Sequence, residues 1–331
     1  MKTHSAISLH QADYRGWDAW WVERGPLTLI LVPQVGGRIM DFHWHGHSLA
    51  FVNDDLAGRV ENVAAVSDVR ARKRELDFLL WGGDKTWLAP QTHWTDALPF
   101  LDLDSGAYSI DFDHSEPQTL IVRMTSPICR ETGIQLTRTI RLSETSSVWT
   151  LTHHMKNCSD KVTNWALWDV DMIRRPAQIY LPRSSDTVYP KGVKTFDNEG
   201  ESTTIRDSVV SYHDAMVKVD CTTAHKFKFG VDAEYGSIFA VLDIAGLGSV
   251  GYRKQFPTFH PQPYGHGCVA EVFNASLYHY LELESHGPVV ALQPGESAEL
   301  TIRRELFNMS DRPMSDQAIQ NYLQPADSAS I

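Results

Sequence analysis

Glu282 and Glu284 stand two residues apart in Tyr278-His279-Tyr280-Leu281-Glu282-Leu283-Glu284. On an extended strand that spacing puts both carboxyl groups on one face with Tyr278 and Tyr280, and turns His279, Leu281 and Leu283 to the other. A carboxyl group held against aromatic walls is pushed towards its neutral form, and a raised pKa is what a general acid or base needs. A solvated strand face with two idle glutamates would carry the same letters.

Trp81-Gly82-Gly83-Asp84-Lys85-Thr86-Trp87-Leu88-Ala89-Pro90-Gln91 is the most distinctive stretch of the chain. Indole rings stack on the apolar faces of sugars, and Asp84, Lys85 and Gln91 are hydroxyl partners, so the segment reads as a ligand wall. The competing reading is a loop that plugs the edge of a sheet. His93 and Trp94 follow at once and extend the same wall. The Gly and Lys spacing does not fit a phosphate-cradling loop.

Two further segments add polar groups. In Asn164 to Met172, alternation sets Asn164, Ala166, Trp168 and Val170 against Trp165, Leu167, Asp169 and Asp171. Either Trp168 or the Asp169 and Asp171 pair lines a cleft, since carboxylates are costly to bury without partners or function. Arg38, after the Gly36-Gly37 turn, offers a fixed fork of donors to a hydroxyl or carboxylate, or is a surface Arg paired with an acid. His43, His45 and His47 alternate, but His45-Gly46 reads as a hairpin tip that would splay the rings, so no metal site is expected there. There is no Gly-x-Ser-x-Gly elbow and no Cys/His signature for covalent catalysis.

The elements that must position these groups are strands. Leu27 to Val32 and Arg38 to Trp44 are β-like runs. Ile134, Leu136, Arg138, Ile140 and Leu142 share one face of a period-two segment, the mark of a half-buried strand. Ser147 to Met155 and Val162 to Met172 flank the polar cluster Lys156 to Lys161 and read as a hairpin. Similar runs recur at Ser237 to Asp243, Ser249 to Arg253, Val269 to Phe273 and Glu299 to Leu306. Helical signals are few; Ser315 to Leu323 predicts one terminal helix with Ser315 as its N-cap. With no linker or repeat, the expected fold is all-β: one large antiparallel sandwich over 1–331, its core at about 15–308, with a helix and tail at about 312–331.

Composition bounds the function. Thirty Lys and Arg against 41 Asp and Glu leave a net charge of −11, too acidic for sequence-independent nucleic-acid binding. The N-terminus shows no apolar core of a secretory signal, and no apolar run is long enough to span a bilayer. Cys129, Cys158, Cys221 and Cys268 are widely spaced, which fits a reduced cytoplasmic protein; an exported protein with two disulfides is the alternative.

Together these segments resemble the galactose mutarotase-like superfamily, the aldose 1-epimerase fold, and most of all an uncharacterised bacterial branch of it. Leu29 to Met40 resembles the first hairpin. Trp81 to Gln91 resembles the sugar-facing loop of the branch, and Leu281 to Glu284 with Leu292-Gln293-Pro294-Gly295-Glu296-Ser297 resembles the C-terminal strand pair. The resemblance covers roughly residues 15 to 308. It implies a β-supersandwich, a carbohydrate as small-molecule partner, no cofactor, and a monomer or homodimer. It also implies a mechanism: a Glu takes the proton of the anomeric hydroxyl while a His protonates the ring oxygen, the ring opens, and it recloses on the other face. Glu284 or Glu282 fills the base position. The family's His is absent, because the strand after Asn157-Cys158-Ser159-Asp160 reads Leu167-Trp168-Asp169-Val170. His93, His154 and His260 are the alternatives for the acid. The expected sugar-binding residues are Arg38, Trp81, Asp84, Lys85, Trp87, Gln91, Trp168, Asp169 and Tyr280. A non-catalytic carbohydrate-binding or sensing module is the competing function, and a sugar-acid lyase a third.

Overall fold

The computed structural model describes residues 6–146, 148–184, 186–196, 208–310 and 312–325. Two antiparallel sheets, of 12 and 10 strands among the described residues, pack face to face. The apolar faces of both meet in one core that includes Leu29, Phe42, Leu136, Trp149, Leu167, Ile302 and Leu306, all at most 2% exposed. The expected all-β sandwich is therefore what the chain forms. Its terminal helix runs Asp316–Leu323, and the Ser315 side chain accepts from the Ala318 N–H.

Six neighbouring strands of the larger sheet carry the candidate chemistry. In spatial order they are Arg38–Trp44, Asp84–Ala89, Thr163–Arg174, Tyr280–His286, Ala270–Asn274 and Phe227–Val231. Gly82 and Gly83 admit the second of these into the sheet. Both have positive φ, and a Cβ on Gly82 would lie 2.2 Å from the Phe51 carbonyl oxygen, on Gly83 2.7 Å from that of Ile39. Only a residue without a Cβ fits between those backbones.

One connection differs from expectation. Val148–Asn157 and Thr163–Arg174 are not a hairpin, because the first pairs with Ile134–Ser143 and Ser297–Asn308 in the smaller sheet while the second lies in the larger. The polar cluster between them is a corner that carries the chain across the sandwich. Asn157 stabilises it by donating to the Lys161 and Leu292 carbonyls at 2.7 and 2.9 Å. Local turn chemistry looks alike in a hairpin and a corner, and tertiary packing decides which forms. The helix Val69–Leu76, capped by Asp68, was not expected either. Its sequence is too charged to show an apolar stripe.

Candidate functional site

Alternation along the Thr163–Arg174 strand divides the candidates between two environments. Asp169 and Asp171 point into the sandwich, and Trp168, Val170 and Met172 point away from it. Within the sandwich, Lys254 Nζ lies 2.7 Å from Asp169 and 3.1 Å from Asp171. Arg304 lies 2.7 Å from Asp169 and 3.1 Å from Asp171, and it also pairs with Asp84. Arg138 pairs with Asp84 as well. Tyr252 donates to Asp171 at 2.6 Å.

Three cations thus face three carboxylates, all of them at most 1% exposed. His153 joins through Asp169 at 3.0 Å and Thr86 at 2.7 Å. Burial pulls its pKa down, so it is neutral and the balance holds. Burial opposes ionisation of Asp169, but Arg304 and Lys254 overturn that and hold its carboxyl well below the usual range. Asp84 and Asp169 are therefore interior structural ions with no route to a ligand in this structure. The expectation that they contact sugar is corrected on this point, because each takes the inward position of its strand.

Arg38 and Trp81 also turn out to be internal. Arg38 is 1% exposed; it donates to the Gly82 carbonyl at 3.1 Å and the Asp104 carboxylate at 2.7 Å. Asp104 also accepts from the Trp87 indole at 2.8 Å. Trp81, likewise 1% exposed, donates to Ser105 at 3.0 Å. The two residues fix the 101–105 turn behind Trp87, and both side chains are closed off from solvent. Gln91 and His93 are exposed. The Gln91 backbone N–H donates to His266 Nε2 at 3.1 Å, and the His93 ring packs edge-on against Trp165 at 5.8 Å.

On the outward face the cross-strand register aligns the remaining candidates. Trp87, Trp168 and His286 form one row. Lys85, Val170, Glu284 and Glu271 form the next, and Met172, Glu282, Phe273 and Lys228 the one after. Lys85 Nζ reaches diagonally to Glu282 at 3.1 Å and to the Met172 sulfur at 3.2 Å, and lies 3.9 Å from the Trp87 ring centre. Burial lowers its pKa, with Glu282 opposing and Arg38 adding to the shift.

Glu284 sits directly opposite Glu271, and like charges in that position repel. Lys228 bridges them, 2.8 Å from Glu271 and 3.0 Å from Glu284. The Trp168 indole donates to the same Glu284 oxygen at 2.8 Å. Burial pushes Glu284 up to about 8; Lys228 resists, while Glu271 and Glu282 add to the rise. Glu271 is driven the other way, held well below the usual range by Lys228 and His286 against its own burial. The pair shares one proton, and at neutral pH Glu284 carries it.

Two histidines complete the group. His266 accepts the Gln91 N–H at Nε2, so its own proton lies on Nδ1, which is 3.1 Å from Glu271. His286 Nε2 is 3.3 Å from Glu271, and burial takes its pKa down to about 4, leaving it neutral. His266, Glu271 and His286 lie close enough to hold an ion. The chemistry argues against that: His266 Nδ1 is a donor, and the Lys228 ammonium already occupies the carboxylate. His266 hydrogen-bonds to Glu271, and the neutral His286 ring packs beside the same carboxylate.

Lys228, Glu271, His266, His286 and Asp104 were absent from the expected set. A signal existed for Glu271, a lone charge inside the apolar run Val269 to Phe273. Asp104 closes the four-residue helix Leu101–Asp104 and His266 lies in a turn, and both elements are too short to leave a periodic trace. Solvent touches the outward face at Glu282, 9% exposed, at Lys228 and His266, and at Phe78, which packs on Trp87 at 6.0 Å.

Among known proteins, no family model and no curated protein matches the chain. Solved structures do match. A galactose mutarotase-like protein from Clostridium acetobutylicum superposes with a TM-score of 0.55 at 10% identity, covering 92% of this chain and 99% of its own. A galactose mutarotase-like protein from Lactobacillus casei gives 0.55 at 8% identity, with 87% and 100% covered. The Slr1438 protein from Synechocystis gives 0.54 at 10%, with 90% and 99% covered. The fold is the galactose mutarotase-like sandwich. At these identities the likeness extends to architecture and not to activity.

Proposed function

We propose that the outward face around Lys85, Trp87, Trp168, Tyr280 and Glu282 binds an uncharged sugar and exchanges its anomers. The observation that carries this reading is the Lys85–Glu282 pair at 3.1 Å against the Trp87 ring. In a pyranose, the anomeric hydroxyl and the ring oxygen share one carbon. Opening the ring therefore needs an acceptor and a donor side by side, which this pair supplies. Glu282 takes the hydroxyl proton and Lys85 gives one to the ring oxygen. The C1–ring-oxygen bond breaks, C1 becomes an aldehyde carbon, and the reverse transfers reclose the ring on either face.

Charge balance supports an uncharged ligand. Arg38, Lys85 and Lys228 are matched by Asp104, Glu282 and Glu271, and Glu284 is protonated at neutral pH. Among the described residues these pairs leave no unpaired cation directly beside Lys85 and Glu282 for the carboxylate of a sugar acid, and this also weakens the lyase reading.

A second reading, binding without catalysis, is favoured by Trp168. It lies on the strand where the resemblance asks for an imidazole that this chain lacks, and its indole seals Glu284, which is 0% exposed. Titrating the chain with aldohexoses while following tryptophan fluorescence tests binding, and anomer exchange in the same samples separates the two readings. Absence of any fluorescence response contradicts both.

A further inference from the structure

The strip that carries Lys85 and Glu282 does not end at Tyr280. Glu282 faces Met172 in register, and two residues along, Tyr280 faces Arg174. That step is about 7 Å along the strands. From there the outward face runs into a separate cavity of about 480 Å³ lined by Phe51, Asn53, Asp55, Arg174, Leu277 and Tyr278, among others. Its volume lies within the range of small-molecule sites.

Aromatic rings lead from Tyr280, two residues from Glu282, into the cavity. Phe51 stacks on Tyr280 at 4.8 Å, and Tyr278 meets Phe51 at 5.8 Å. Leu277 is 89% exposed and Tyr278 38% exposed, so the lip of the cavity presents apolar surface to water. The polar lining mixes donors and acceptors. The Arg174 side chain gives Nε to the Ala50 carbonyl at 2.9 Å and makes no other hydrogen bond among the described residues, which leaves its terminal nitrogens to the cavity. Asp55 is an exposed acceptor in the lining. Arg175 secures the floor by donating to the Thr223 and Ala275 carbonyls at 2.9 and 2.8 Å.

We infer that this cavity is a second saccharide subsite, so that the ligand is an oligosaccharide whose reducing-end unit lies at Lys85 and Glu282. The inference rests on the sugar-binding reading above. An aromatic face flanked by one fork of donors and one carboxylate suits a pyranose better than a purely apolar or purely charged ligand. The adjacent position, one ring-sized step along the same strand face, makes the two sites parts of one groove.

The test compares affinities for aldohexoses with those for their di- and trisaccharides, using glucose, galactose, cellobiose, cellotriose, maltose, maltotriose and lactose as probes on the full chain. The expected result is at least one series in which the oligosaccharide binds about ten-fold or more tightly than its reducing-end monosaccharide. In Tyr278→Ala and Arg174→Ala the ratio of the two affinities should fall to near one. Val188→Ser, at an exposed apolar residue far along the chain, should leave the ratio unchanged. A ratio near one in the unmodified chain, or a ratio that survives both substitutions, overturns the subsite while leaving monosaccharide binding intact. No response to any probe overturns the sugar-binding reading itself. Tyr278 is partly exposed, so its truncation is compatible with folding.

Discussion

Lys85 and Glu282 meet at 3.1 Å on neighbouring rows of the same sheet face, with the lysine ammonium 3.9 Å from the Trp87 ring. The contact brings together two residues almost two hundred positions apart. It joins the most distinctive loop of the sequence to its most suggestive strand.

The first prediction concerns acidity at this contact. Burial lowers the Lys85 pKa from its ordinary 10.5, so the protonated form that donates to the ring oxygen is lost as pH rises through that lowered value. The alkaline limb of the exchange rate should therefore fall below 10.5. Lys85→Arg, whose guanidinium stays charged, should remove that limb and slow exchange, while Lys85→Met should abolish it. A pH–rate profile by polarimetry checks both.

The proton shared by Glu271 and Glu284 gives the second prediction. Glu284 has a folded pKa of about 8, above its unfolded value of 4.5. Between those values the native state binds more protons than the unfolded one, so stability falls as pH rises through that window. Glu284→Gln should flatten this loss, since an amide can donate to Glu271 and still accept from Trp168 and Lys228. Glu271→Gln removes the ionised partner of Lys228 and His266 and should cost about 3–5 kcal/mol. Denaturant unfolding of both variants from pH 5 to 8.5 makes the comparison.

The buried ion cluster supplies the third. Asp169→Asn leaves Lys254 and Arg304 short of one charge in a region without water access, and should lower stability by about 3–5 kcal/mol. The Asp169 pKa is depressed, so its contribution is present above the unfolded carboxylate pKa and is lost as pH falls through the lower folded value. The wild-type chain should lose stability in acid more steeply than Asp169→Asn. Thermal melts between pH 3 and 7 read this out.

Much of the architecture could be read from the sequence, because period-two alternation is a local property. Ile134 to Leu142 announced its apolar face, the face that also carries the buried Arg138. The terminal helix was marked by its Ser315 cap. The site was only half readable. Alternation correctly grouped Tyr280, Glu282 and Glu284, and separated Trp168 from Asp169, but it could not say which side faced the second sheet. That side is decided by Lys254, Arg138 and Arg304, which come from other strands across the sandwich. Arg38 and Trp81 looked like ligand groups because their partners, Asp104 and Ser105, are remote in sequence. The Asn157 corner resembled a hairpin because its hydrogen bonds are those of any tight turn.

Stacking provides a fourth prediction. Trp87 is held by Asp104 and flanked by Trp94 and Trp168 at 5.1 and 5.0 Å. Trp87→Phe keeps an apolar ring but loses the anchor to Asp104, and should weaken sugar binding about ten-fold while the chain stays folded. Equal affinity in the variant, measured by titration calorimetry, would place the ligand elsewhere.

The central claim is that Glu282 and Lys85 open and close a sugar ring. It is tested most directly by NMR exchange spectroscopy on aldohexose anomers with the full chain, Glu282→Gln and Lys85→Met. The account predicts exchange well above the buffer rate for the unmodified chain and a loss of about 100-fold or more of that catalysed rate in each variant. Exchange that equals the buffer rate for every sugar the chain binds, or catalysis that survives both substitutions, would contradict it.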